Sequence, residues 1–80
     1  MDVEKFKGSY MVIELVRNKL ERMLEVFGCV SVADYYEIIG HAATYADNKY
    51  GWVSLDKVKI MQTTEYNVYE LILPKPMRLE

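Results

Sequence analysis

The chain is predicted to fold as an α+β domain, two N-terminal helices packed on a C-terminal β-hairpin, in an α-α-β-β order that outlines an incomplete winged helix. Three observations predict it. Apolar residues recur at helical spacing from Val12 to Phe27 and, more briefly, from Val32 to Ile39. From Lys57 the apolar period becomes two, the mark of a half-buried strand. Between these stretches fall Gly28, Gly40 and a turn-rich segment around Asp47 and Asn48, which separate one element from the next. All 80 residues are expected to form one domain, and a chain this short buries only about 60% of the surface its unfolded form exposes.

Residues 1 to 8 are polar apart from Val3 and Phe6, and Gly8 disfavours a helix running through them, so they are expected to be a loose arm. Ser9 has a hydroxyl that can accept from a free N–H of the first turn, which makes it the N-cap of helix one. Val12, Val16, Leu20, Met23 and Phe27 form that helix's inner stripe, widened by Ile13 and Leu24, while Glu14, Arg17, Glu21, Arg22 and Glu25 lie opposite. Gly28 is the left-handed C-cap. Ser31 and Asp34 have capping-box spacing, so a second helix runs from Val32 to Ile39 and ends at Gly40. Two turns of helix do not persist alone in water. Helix two must therefore pack on helix one, with Tyr35, Ile38 and Ile39 inward and Tyr36 partly exposed.

The stretch Tyr45-Ala46-Asp47-Asn48-Lys49-Tyr50-Gly51-Trp52 joins the helices to the hairpin. Asp47 and Asn48 favour a turn, and Gly51 is expected to take a positive φ. Trp52 folds back over the joint. Val58 and Ile60 then alternate with Lys57 and Lys59, and Tyr69, Leu71 and Leu73 with Val68, Glu70 and Ile72, about a turn near Thr64 to Asn67. Pro74 and Pro76 cannot donate to a ladder and end the second strand. Residues 77 to 80 are expected to be a tail.

Composition narrows the function. A net charge of −2 gives no general attraction to a polyanion. The single cysteine, Cys29, forms no internal disulfide and points to a reducing compartment. The first residues carry no basic and apolar leader pattern, and charged residues interrupt the apolar run of helix one, so neither secretion nor a membrane span is expected. A cytoplasmic location follows as the expectation.

Candidate chemistry is sparse. His41 would need an orienting carboxylate, Asp34 or Asp47, to act as a base, yet capping and turns already account for both. Cys29 is expected to be a buried, inert thiol. The carboxylates lack the spacing of a calcium loop, no phosphate-binding glycine loop is present, and no cofactor or metal is implied. Lys49, Lys57, Lys59 and Lys75 with Tyr45, Tyr50 and Trp52 could serve nucleic acid through phosphate contacts and stacking. Tyr10, Tyr36, Tyr45, Tyr50, Tyr66 and Tyr69 are more than so small a core can bury, and exposed tyrosines favour protein contacts. Tyr45, Lys49, Tyr50 and Tyr66 are the expected contact residues, and Asp47, Gly51 and Trp52 the structural ones. A homodimer through the hairpin is a further form of the same expectation.

The run Ser31-Val32-Ala33-Asp34-Tyr35-Tyr36, the pattern Tyr-x-Asp-x-Lys-aromatic-Gly-Trp from Tyr45 to Trp52, and the closing Leu73-Pro74-Lys75-Pro76 resemble small proteins encoded by phages and integrated elements of Gram-positive bacteria. The resemblance runs from about Val30 to Pro76 and leaves helix one uncovered. Similar proteins often carry a glycine in the hairpin turn, where this chain has Thr64, Glu65, Tyr66 and Asn67. The resemblance implies a mobile-element origin and no reaction. The expected function is thus a non-enzymatic module that binds, and inhibits, a host or defence protein in the host cytoplasm through an acidic and aromatic surface. The alternative is a winged-helix-like regulator that binds DNA.

Overall fold

The computed structural model describes residues 2–79. Helix α1 (Tyr10–Phe27) and helix α2 (Val32–Ile39) form where the periodicity places them. The Ser9 hydroxyl accepts from the Val12 N–H, and Gly28 closes α1 at φ 79°. At α2 the box is reciprocal: Ser31 Oγ accepts from Asp34 N–H at 3.0 Å, and the Asp34 carboxylate accepts from Ser31 N–H at 3.1 Å. Gly40 ends α2 at φ 78°. Among the described residues no helix is long and apolar enough to cross a membrane.

The strands depart from the expected hairpin. They are β1 (Phe6–Gly8), β2 (Val30–Ser31), β3 (Tyr50–Trp52), β4 (Lys59–Gln62), β5 (Tyr69–Ile72) and β6 (Met77–Arg78). They form two three-stranded antiparallel sheets, in the orders β1-β5-β4 and β2-β3-β6. The residues expected to be a loose arm supply β1, with Phe6 opposite Leu71 and Gly8 opposite Tyr69. Those expected to be a tail supply β6, with Met77 opposite Gly51 and Arg78 opposite Tyr50; residue 80 lies outside the described residues. A two-stranded sheet is marginal in water, and a third strand on each removes one free edge. The winged-helix outline fails as well. Between Gly40 and Trp52 the chain makes only a four-residue 3-10 turn, Tyr45–Asn48, and no recognition helix.

The core joins Ile13, Val16 and Leu20 of α1 to Val30, Val32, Tyr35, Tyr36, Trp52 and Leu71. The buried line of α1 therefore runs through Ile13, with Val12 to one side of it at 43% exposure. Phe27 is 70% exposed because it falls in the last turn, where nothing covers it. Cys29 is half-exposed and not buried as expected.

Tyr36 is buried, against expectation, and its hydroxyl explains why. It accepts from the Glu4 N–H at 3.1 Å, while the Tyr35 hydroxyl donates to the Glu4 carbonyl at 2.8 Å. A phenol can enter a core when its polar tip finds a partner. The two rings thereby tie the chain entering β1 to α2.

Gly51 does not take a positive φ; among the described glycines only Gly28 and Gly40 do. Its need for glycine is close approach. A Cβ there would overlap the Val30 carbonyl oxygen and crowd the Ser31 backbone, so β2 and β3 could not pair. Gly51→Ala is expected to destabilise the fold by about 3 kcal/mol, a large share of the stability of so small a domain; urea unfolding followed by circular dichroism measures it.

Burial, followed by the nearby Tyr36, Glu4 and Glu70, pushes the Tyr35 phenol well above its ordinary value. Above about pH 10 the unfolded chain releases this proton while the folded one keeps it. The contribution to stability is whole below that pH and falls as pH rises, at about 1.4 kcal/mol per pH unit. Tyr35→Phe is expected to cost about 1 kcal/mol at neutral pH, through the orphaned Glu4 carbonyl, and to flatten the alkaline decline. Urea midpoints between pH 8 and 11 give both quantities.

Candidate functional site

The segment between α2 and β3 is built to hold an exposed ring steady. The Asp47 carboxylate, 6% exposed, accepts from the Thr44 N–H at 2.7 Å. Asn48 Nδ2 donates to the Tyr45 carbonyl at 3.3 Å, and the Lys49 N–H to the Ala46 carbonyl at 3.0 Å. With its backbone fixed in this way, the turn projects Tyr45 into solvent at 78% exposure and places Lys49 Nζ 4.9 Å from the centre of that ring.

A second tyrosine–cation pair begins at the next residue of the chain. The Lys49 carbonyl accepts from the Leu79 N–H at 2.8 Å, and the next residues pair as Tyr50 with Arg78. That register sets the Arg78 guanidinium 5.9 Å from the Tyr50 ring centre. Cation–π contacts at exposed sites contribute about 0.5–1 kcal/mol each, enough to bias the rotamers of long side chains. The result is two tyrosine–cation pairs: Tyr45 with Lys49 in the turn, its ring exposed, and Tyr50 with Arg78 on the β3–β6 ladder, its ring half-buried against the core.

Of the four expected contact residues, Tyr45 and Lys49 meet, while Tyr50 is half-buried against the core with Arg78 over its ring. Tyr66 does not join them: it is 95% exposed in the turn between β4 and β5, on the other sheet. Arg78 lies where the sequence pattern predicts a tail and the structure forms β6. The alternation Met77, Arg78, Leu79 was the one available signal. Asp47 turns its charge inward onto the backbone, and the charges that meet the two rings are Lys49 and Arg78.

The nucleic-acid set is dispersed. Trp52 is 2% exposed, edge-on to Tyr35 at 6.1 Å, and its Nε1 donates to the Pro74 carbonyl at 2.7 Å. An indole so placed cannot stack on a base. Lys59 is on β4 in the other sheet, away from Lys49. Lys57 and Lys75 instead flank a 260 Å³ cleft beside Trp52 and Met77. His41 meets neither Asp34 nor Asp47: it rests edge-on against Tyr36 at 4.6 Å, with Nε2 3.9 Å from the Glu4 carboxylate. Among the described residues no three His, Cys, Asp or Glu side chains converge as metal ligands.

A cleft of about 390 Å³ opens between residues 2–5 and the chain from Glu70 to Pro76. Its origin lies in the two tyrosine bonds. Gly8–Tyr69 and Phe6–Leu71 are successive rungs of β1 on β5, and Glu4 with Leu73 would be the next. Tyr35 and Tyr36 hold both backbone groups of Glu4 instead, and the strands part. Removing both hydroxyls, as Tyr35→Phe with Tyr36→Phe, is expected to let that rung form and narrow the cleft. Amide hydrogen exchange at Leu73 should then slow relative to its neighbours, whereas faster exchange throughout would show only a weakened fold.

Comparison with protein-family models, with curated proteins and with solved structures gives no significant match for the chain.

Proposed function

We propose that the chain is a non-enzymatic protein-interaction module of phage or mobile-element type, which binds a host or defence protein and inhibits it by covering a functional surface. The observation that supports this reading is the exposed Tyr45 ring held beside Lys49 on a capped turn, followed directly in the chain by the half-buried Tyr50 with Arg78 over its ring. Tyrosine brings a large contact area with few rotatable bonds, so ordering it in a complex costs little entropy. Here the rings are already steadied by the capped turn and the β3–β6 pairing, which lowers that cost further.

The cations define the partner. Lys49 and Arg78 attract an acidic surface, speed encounter with it and reject basic ones. The site therefore suits a carboxylate-rich patch on a folded protein. The mobile-element origin implied by the resemblance supplies the host context.

The test is affinity capture from a Gram-positive host lysate, read by mass spectrometry. A specific protein is expected with the native chain, and Tyr45→Ala combined with Arg78→Glu should weaken its binding by about 2 kcal/mol, roughly 30-fold. Tyr66→Ala, on the other sheet, should leave it unchanged. Recovery of nucleic acid without any protein, or equal capture by all three chains, would overturn the reading.

A further inference from the structure

The 260 Å³ cleft beside Trp52 lies where β3 and β6 cease to pair. Their last rung is Gly51 with Met77; beyond it one chain leaves through Val53 while the other arrives from Pro74, and the space between them stays open. Both walls are fixed. The Trp52 Nε1 bond to the Pro74 carbonyl holds one, and in the other the Ser54 hydroxyl accepts from the Asp56 N–H at 3.3 Å and the Leu55 carbonyl from the Val58 N–H at 3.1 Å. A cleft formed before its ligand arrives avoids the cost of ordering it on binding.

Its lining combines two chemistries. Trp52, Pro74, Val53 and Met77 are apolar, and the last two are 54% and 50% exposed. Lys57 and Lys75 line it as well, both exposed, and neither has an ion-pair partner among the described residues. Against them stands one acid, Asp56. This combination selects an apolar group accompanied by negative charge: covering Val53 and Met77 removes apolar surface from water, and the two lysines attract an anion and reject a cation. At 260 Å³ the space falls below the about 300–1,000 Å³ of pockets that enclose a whole small molecule, and it suits a single side chain.

Resting on the reading of this chain as a module for an acidic protein surface, we infer that the cleft takes one apolar side chain of that partner, set between acidic neighbours that meet Lys57 and Lys75. An apolar anchor in a preformed pocket, ringed by polar contacts that exclude water, is the arrangement in which a few residues carry most of a binding energy. The spacing fits the rest of the candidate site. Val53 lies three residues beyond Tyr50, about 10 Å at strand rise, so three or four residues of an extended partner segment span the distance from the Tyr50–Arg78 pair to the cleft.

Titration of the isotope-labelled full chain with the capped tripeptide acetyl-Glu-Leu-Glu-amide, followed by NMR, tests this. The Trp52 Nε1–H and the backbone amides of Val53 and Met77 are expected to shift saturably. Acetyl-Gln-Leu-Gln-amide, which lacks the charge, and acetyl-Glu-Gly-Glu-amide, which lacks the anchor, should each bind about tenfold more weakly. Lys57→Glu combined with Lys75→Glu should do the same to the first peptide and to the protein captured from lysate; both lysines are exposed and unpaired, so resonances away from the cleft should stay in place. Selective shifts without any captured protein would sustain the cleft and overturn the reading of function. Capture of a protein that is indifferent to both lysine changes, no shift at Trp52, or equal binding of the uncharged or leucine-free peptide would overturn the inference and leave that reading intact.

Discussion

A buried indole must satisfy its N–H, and Trp52 does so on the Pro74 carbonyl at 2.7 Å. That bond spans the two sheets: Trp52 belongs to β3, while Pro74 lies in the chain that has just left β5. From Pro74 the backbone has only two residues before it reaches β6, so it can return along β3 and no other strand lies to hand. The same ring packs edge-on against Tyr35, which holds the Glu4 carbonyl and with it the approach to β1. One side chain thereby links α2, both sheets and the two ends of the described chain. The position of Arg78 over Tyr50, and hence the second half of the candidate site, follows from it.

The helices were legible because their signals are local: a cap, a periodic face and a glycine within a few residues of one another. The sheets were not. Strands of two to four residues show too little alternation to register, and their partners lie far away in sequence, Phe6 with Leu71 and Gly51 with Met77. Gly51 was singled out correctly as a residue that must be glycine, but for the wrong reason, since close approach of another backbone leaves no trace in the local sequence. Tyr36 was misplaced on the same grounds. Its burial depends on a hydrogen bond to a residue 32 positions away. Of the site, the Tyr45 to Tyr50 half was readable because one capped turn builds it; the Arg78 half rests on long-range pairing and was not.

The net charge of −2 is not evenly spread. Helix α1 balances Glu14, Glu21 and Glu25 with Arg17, Lys19 and Arg22, and α2 carries Asp34 and Glu37 with no base, whereas the strands carry Lys7, Lys59 and Arg78 against Glu70. Across the β1-β5-β4 sheet Glu70 lies between Lys7 and Met61, and it also takes Lys5 at 4.0 Å, so this acid moderates a cationic face. A nearly neutral total therefore says little about which partners the molecule attracts. What matters is the field at the surface that makes the contact, and both Tyr45 and Tyr50 carry a cation there.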